Sequence, residues 1–199
     1  MRGRSTIRPT AFLAAALFAA SAPPVRADKQ SIDTTRSTMT VYVYKSGLFS
    51  AFADNHVITA AIASGSLSHD APAGIELSIR AADLKVMDPN LSPDRRAEVQ
   101  ARMVGPEVLD VAKFPEIAFA STAIASTAQD RWSVTGRLTI HGQTKSLTFS
   151  VRRTGERYGG EVTISQRDFG IEPIRIAGGA VKVKDEVKIA FEIVSRPQP

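Results

Sequence analysis

Apolar and polar residues alternate with a period of two over much of this chain. In Arg131–Ile140, Trp132, Val134, Leu138 and Ile140 are apolar, while Arg131, Ser133, Thr135, Arg137 and Thr139 are polar. The pattern returns as Leu147, Phe149 and Val151 against Ser146, Thr148, Ser150 and Arg152. It returns again as Val187, Ile189, Phe191 and Ile193 against Lys188 and Glu192. Shorter copies are Ile75/Leu77/Ile79, Ile117/Phe119, Val162/Ile164 and Met39/Val41/Val43. Successive side chains of a strand point to opposite faces, so these segments predict an antiparallel sheet with one apolar and one wet face. His141-Gly142-Gln143 predicts a hairpin turn, and Tyr158-Gly159-Gly160 opens another strand. One stretch breaks the period: Ser92-Pro93-Asp94 reads as an N-cap with proline at the first helical position. Arg95–Met103 then carries helix formers until Gly105-Pro106, and a short turn at Glu107–Val111 leads into Phe114-Pro115. The expectation is one all-β domain over residues 28–199, with about eight strands and a helical insertion near residues 92–112. Meandering strands of this kind close into a barrel or stack as a sandwich. An eight-stranded barrel is either filled by side chains or just wide enough for one small ligand.

The N-terminus has another character. Three arginines precede the apolar run Ala11–Ala20, which is too short to anchor in a bilayer, and Ser21-Ala22-Pro23-Pro24 ends it. Val25-Arg26-Ala27 places small residues where a signal peptidase reads, so residues 1–27 are expected to be a signal peptide cut after Ala27. The alternative, a buried N-terminal helix, fits poorly with a basic start and a uniform Ala/Leu/Phe surface. This segment also distorts the charge. The 199-residue chain carries +5 overall, but removing Arg2, Arg4, Arg8 and Arg26 leaves 21 basic residues against 20 acidic ones. A nearly neutral chain has no electrostatic footprint for nucleic acid. Cysteine is absent, which excludes a disulfide framework, a thiolate zinc site and lipid attachment through an N-terminal cysteine. With no later apolar run of spanning length, no stable membrane anchor is expected.

The candidate chemistry is sparse. A nucleophile–base pair needs a histidine and an orienting acid, and the histidines are His56, His69 and His141. His69 and His141 fall in predicted turns, whereas His56, after Asp54-Asn55, stands at a strand edge where it could donate a proton. Arg167-Asp168-Phe169-Gly170 offers Asp168 as a base. The structural alternative has Asp168 accepting backbone N–H bonds at a bend, with Phe169 packed inward. Arg95, Arg96 and Arg102 lie on the predicted helix, either as its wet face or facing a lipid phosphate. No histidine–carboxylate spacing suits a metal. The apolar faces say more. Phe119, Val134, Leu138, Ile140, Leu147, Phe149, Val151, Ile189 and Phe191, with Phe169 beside them, carry no charge and scarcely a hydrogen-bonding group. A sugar, nucleotide or peptide site needs several fixed polar groups, whereas a hydrocarbon chain needs only an apolar tunnel.

Four longer stretches are more specific. They are Leu109-Asp110-Val111-Ala112-Lys113-Phe114-Pro115-Glu116-Ile117-Ala118-Phe119-Ala120-Ser121, Val134–Lys145, Arg167-Asp168-Phe169-Gly170-Ile171 and Asp185-Glu186-Val187-Lys188-Ile189. In this order the chain resembles the YceI-like family of bacterial exported proteins, from about residue 37 to 194. Two stretches depart from the family pattern: Ala53-Asp54-Asn55-His56, and Asp94-Arg95-Arg96 before the helix. The resemblance implies an extended, lipocalin-like antiparallel barrel whose lumen holds a polyisoprenoid such as a quinone tail or polyprenyl phosphate. It also implies a periplasmic or secreted location, often a homodimer, and no catalytic residue or cofactor beyond the bound lipid. The ten apolar residues named above are then the candidate lumen wall. Two other functions stay open: a periplasmic hydrolase-type enzyme using His56 or Asp168, and a filled-core structural or interaction protein. The exported protein should begin at Asp28. Intact-mass measurement checks this, and a periplasmic chain still beginning at Met1 would refute it.

Overall fold

The computed structural model describes residues 29–46, 55–68, 73–176 and 181–196, so the expected signal peptide and His69 lie outside the described residues. Twelve strands and one helix follow one another: β1 (Lys29–Ser31), β2 (Thr38–Ser46), β3 (His56–Thr59), β4 (Ile62–Ser68), β5 (Gly74–Arg80), β6 (Lys85–Val86), α1 (Pro93–Val104), β7 (Glu116–Ala128), β8 (Arg131–Ile140), β9 (Gln143–Thr154), β10 (Arg157–Ser165), β11 (Arg175–Ile176) and β12 (Val181–Val194). They form one antiparallel sheet in the order β1-β4-β5-β7-β8-β9-β10-β12-β2-β3-β6, with β11 on β12. The sheet curls into an incompletely closed, lipocalin-like barrel. The count of twelve replaces the expected eight or so, because β1, β3, β6 and β11 have only two to four residues and too few alternations to be read.

Turn chemistry sets the register. His141 (φ 50°) and Gly142 (φ 71°) are both left-handed and leave Ile140 opposite Gln143, a two-residue hairpin whose twist matches the strands. From there β8 and β9 pair through Arg131↔Arg152 without a slip. Every apolar position of β8 therefore lies on one face with its β9 partner. β9 and β10 behave differently. They pair only from Thr154↔Arg157 to Val151↔Gly160, and among the described residues their remaining lengths share no ladder pair. Below that point the wall has a seam. Lys145, opposite buried Leu138 and on its face, is exposed beside this seam.

Each end of the barrel is tied by long-range bonds. At one end Asp33 donates its backbone N–H to Val194 O (2.8 Å) and Arg196 donates to Ser31 O (2.8 Å), stitching the N-terminal strand to the end of β12. Buried Ser37 accepts the Val194 N–H at 2.9 Å. At the other end sits α1. Ser92 caps it by accepting the Arg95 N–H, Pro93 occupies the first turn, and Gly105 ends it through bonds to Ala101 and Arg102 carbonyls. The helix stops at Val104, and the rest of the expected insertion is hydrogen-bonded turn, with Lys113 and Phe114 N–H groups on Asp110 O.

Gln100 fixes the helix to the sheet. Its Nε2 donates to Leu84 O at 2.8 Å and its Oε1 accepts from Val86 N–H at 2.9 Å, so one side chain completes the free edge of β6. Replacing it leaves a part-buried donor and acceptor unmet. Gln100→Ala should lower stability by about 1–3 kcal/mol in urea unfolding, and Gln100→Glu, which keeps the acceptor but loses the donor, should fall between.

Candidate functional site

Inside the curl lies an elongated cavity of about 320 Å³. β2 supplies Met39, Val41 and Val43; β8 supplies Trp132, Val134, Leu138 and Ile140; β9 supplies Leu147, Phe149 and Val151; β10 supplies Tyr158, Val162 and Ile164; β12 supplies Val187, Ile189, Phe191 and Ile193. All ten residues picked out in the sequence line this one space. The structure adds the β2 residues, Trp132 and Tyr158, and also Met103, Val108 and Leu109 from α1 and the turn after it. The helical residues were missed because their sequence has no period of two. The β2 residues carried the right signal but belong to a strand that only the register places beside β12.

Three phenylalanines cross this space in a row. Phe119 on β7, Phe149 on β9 and Phe191 on β12 have centroids 5.5 Å and 5.4 Å apart, the first pair tilted and the second edge-on. The strands between them carry glycine. A Cβ on Gly136 of β8 would stand 2.3 Å from Phe119 Cζ, and one on Gly160 of β10 would stand 2.7 Å from Phe191 Cζ. A ring over a glycine needs no space for a side chain beneath it, so Phe119 and Phe191 approach the backbone of the neighbouring strand closely. Sequence alone shows these glycines only as weak points in strands.

Burial grades along the cavity. Phe169 (2%), Ile171 (6%) and Ile140 (8%) are almost inaccessible at the α1 end. At the other end Ile124, Trp132, Val151 and Tyr158 are half-buried and Ala73 is exposed. The space is thus closed beneath α1, while at the hairpin end these half-buried residues stand beside Ile193, the Cα partner of Tyr158 and 1% exposed. There Trp132 and Tyr158 stack at 5.9 Å. Ser68 and Gln166 are the polar aliphatic side chains on the wall, and Gln166 spends its amide on Lys184 O at 2.8 Å. Such a wall can hold hydrocarbon by burial but has little with which to orient a polar substrate.

The candidate polar residues stand elsewhere. His56 Nδ1 lies 2.5 Å from Asp88 Oδ2, and Asp88, 2% exposed, takes the Val57 N–H on its other oxygen at 2.7 Å. Arg96 donates to Asp88 O and Leu91 O, so it is a brace for this loop and not a free cation. Arg102 pairs with Glu107, while Arg95 is exposed. The His56–Asp88 pair does not line the cavity, and among the described residues no hydroxyl hydrogen-bonds the ring. His141 Nδ1 sits 3.2 Å from Phe169 O and its ring packs on Phe114.

Asp168 requires a correction. It is exposed, and the acceptor at the bend is Asp185, which takes the Ser165 hydroxyl at 2.7 Å and the Arg167 N–H at 3.0 Å. The reason is the β10–β12 register, which sets Ser165 against Glu186 and so brings Asp185 under the turn. Burial pushes the Asp185 carboxyl up, but the Ser165 hydroxyl, the backbone bonds and the Arg167 charge together hold it below the usual range. Phe169 does pack inward, and Gly170 (φ 72°) permits the turn.

The sequence profile of the YceI-like domain matches residues 27–195. A UPF0312 protein of Pseudomonas putida (strain W619) is 41% identical over 86 residues, 38% of this chain and 45% of that protein. One from Pseudomonas savastanoi pv. phaseolicola is 34% identical over 110 residues, 50% of this chain and 55% of that protein. The chain therefore spans about half the length of the curated relatives it matches. Among solved structures, Burkholderia cenocepacia BcnA superposes with TM-score 0.60 at 19% identity, covering 83% of this chain and 99% of that one. A polyisoprenoid binding domain from Saccharophagus degradans, implicated in plant cell wall breakdown, gives 0.61 at 14% identity, with 87% and 100% covered. At such identities the likeness is one of fold.

The ring-over-glycine packing has a measurable signature. Gly136→Ala should cost about 1–3 kcal/mol in urea unfolding, because the new methyl displaces the Phe119 ring. In a Phe119→Ala background the ring part of that cost should vanish while the 2.8 Å approach to the Ala120 carbonyl remains, so the double-mutant cycle should be non-additive with a residual penalty for Gly136→Ala.

Proposed function

The chain belongs to the YceI-like family, and we propose that it is an exported, non-catalytic carrier or reservoir for a long-chain polyisoprenoid held in its lumen. The observation that carries this reading is the almost wholly apolar wall around a space of about 320 Å³. The polyisoprenoid binding named for the Saccharophagus degradans domain supports it, as does the arginine-led apolar segment at the N-terminus, which fits export to the periplasm or beyond. The hydrolase alternative draws no support from His56, whose partner Asp88 is buried away from the lumen. A filled structural core does not fit a wall with this much empty space.

Energetics favour long ligands. Each buried methylene contributes about 0.8 kcal/mol, so ten contribute roughly 8 kcal/mol. Association itself costs about 4–15 kcal/mol. Short prenyl chains therefore bind weakly, and affinity rises with each isoprene unit until the lumen is full.

Organic extraction of protein purified from its native host, followed by mass spectrometry, should release a long-chain isoprenoid. Val151→Trp should empty the lumen at a cost of about 1–3 kcal/mol, less where the side chain finds open space. If the unmutated protein yields no lipid, takes up no prenyl alcohol of twenty or more carbons, and Val151→Trp unfolds it, the barrel is only a core.

A further inference from the structure

The outer wall carries a second concavity. Where β2, β12, β10, β9 and β8 lie side by side, their wet faces form an open groove of about 800 Å³, at the level where the β9–β10 pairing ends. Its charges are arranged unevenly. Both acids are already paired: Glu161 with Lys188 at 2.8 Å, and Glu192 with Arg157 at 3.2 Å. Arg131 and Arg152 are not. They are Cα partners across β8 and β9, both are exposed, and neither side chain makes an ion pair or hydrogen bond among the described residues.

This is a poor arrangement for an isolated fold. Directly opposed side chains stand about 4.5–5.5 Å apart at Cβ, and like charges there destabilise the pair. Their parity gives them no escape: Trp132 and Val151, the next residue along each strand, face the lumen, so the two guanidiniums share the outer face. The strand has other options, since the adjacent Arg153 is neutralised by Asp130 at 3.1 Å. Two arginines on opposed positions of one face can bring both guanidinium forks to a single tetrahedral oxyanion, which accepts from both at once. The Ser150 and Thr40 hydroxyls line the same groove.

We propose that Arg131 and Arg152 form a phosphate-binding site on the outer wall, taking either free phosphate or the headgroup of a phosphorylated lipid. The site stands apart from the lumen reading, because it needs no hydrocarbon in the barrel. Its bound anion would relieve the repulsion between the two arginines, so occupancy should stabilise the fold.

The test uses the full chain with three probes: inorganic phosphate, geranylgeranyl phosphate and geranylgeraniol, followed by titration calorimetry and thermal unfolding. Inorganic phosphate should bind saturably, weaken with added chloride and raise Tm. Arg131→Gln or Arg152→Gln should each weaken binding by roughly tenfold, the worth of one charge-assisted bond, and the double variant should lose both binding and the Tm rise. Arg137→Gln is the control, since Arg137 is equally exposed but faces Ala120 and Ser146. If the double variant holds geranylgeranyl phosphate no better than geranylgeraniol, the source is a lipid headgroup. If it loses only inorganic phosphate, the source is the free ion. Geranylgeraniol uptake reads the lumen separately and should survive the double substitution. Absence of saturable phosphate binding, or equal binding by the double variant, overturns the site.

Discussion

An apolar space that stays open is the constraint on which the rest of this structure depends. Walls facing a void forfeit the contacts they would have made, and measured cavity costs run near 24 cal/mol per Å³. For about 320 Å³ the cost is on the order of 8 kcal/mol, comparable with the whole stability of an ordinary domain. Collapse is therefore favourable unless something holds the walls apart. Backbone ladders do so. β7 to β10 form a consecutive meander joined by tight hairpins, and β12 then binds β10 over nine pairs. A sheet pinned this way cannot close without breaking hydrogen bonds that have no water to replace them inside.

The Phe119–Phe149–Phe191 row shows how side chains respect that constraint. Three rings placed on neighbouring residues of every strand would fill the bore. Gly136 and Gly160 let the Phe119 and Phe191 rings lie against bare backbone on either side of Phe149, so the row takes less of the bore than three rings standing over side chains would. The ends obey a different logic. Under α1 the side chains pack fully, with Phe169, Ile140 and Ile171 nearly inaccessible, so the bore has a floor. Toward the β7–β8 and β9–β10 hairpins half-buried Trp132, Val151 and Tyr158 stand beside the fully buried Ile193, and the short β9–β10 ladder leaves a seam along one side.

Much of this was legible in the sequence. Period-two alternation identifies the long strands and assigns faces, so Leu138, Phe149 and Phe191 could be placed on one interior without coordinates. The helix was legible from Ser92-Pro93 and Gly105. The short strands were not, because two to four residues cannot display a period. Nor was the partnership of ring and glycine, since Gly136 contacts Phe119 only through a register that hydrogen bonding decides. Asp168 drew attention as the acid in a local cluster, yet the working acceptor is Asp185, seventeen residues on and brought there by the β10–β12 ladder. The volume of the lumen had no sequence signal at all. A tightly filled core and an open bore use the same residue types, and the difference lies in backbone curvature.

The same period of two divides the wall between interior and exterior. Trp132 and Val151 face the lumen, while Arg131 and Arg152, one step along the same strands, face the outer groove. An apolar surface and a charged one thus lie on opposite sides of one pair of strands. Register makes this separation strict, because a slip of one residue between β8 and β9 would turn one strand over, driving its arginine into the bore and its apolar residues out. The His141-Gly142 turn, which fixes that register from the far end of the hairpin, therefore governs both faces at once. Its left-handed backbone is what keeps the apolar positions of β8 and β9 pointing at the lumen.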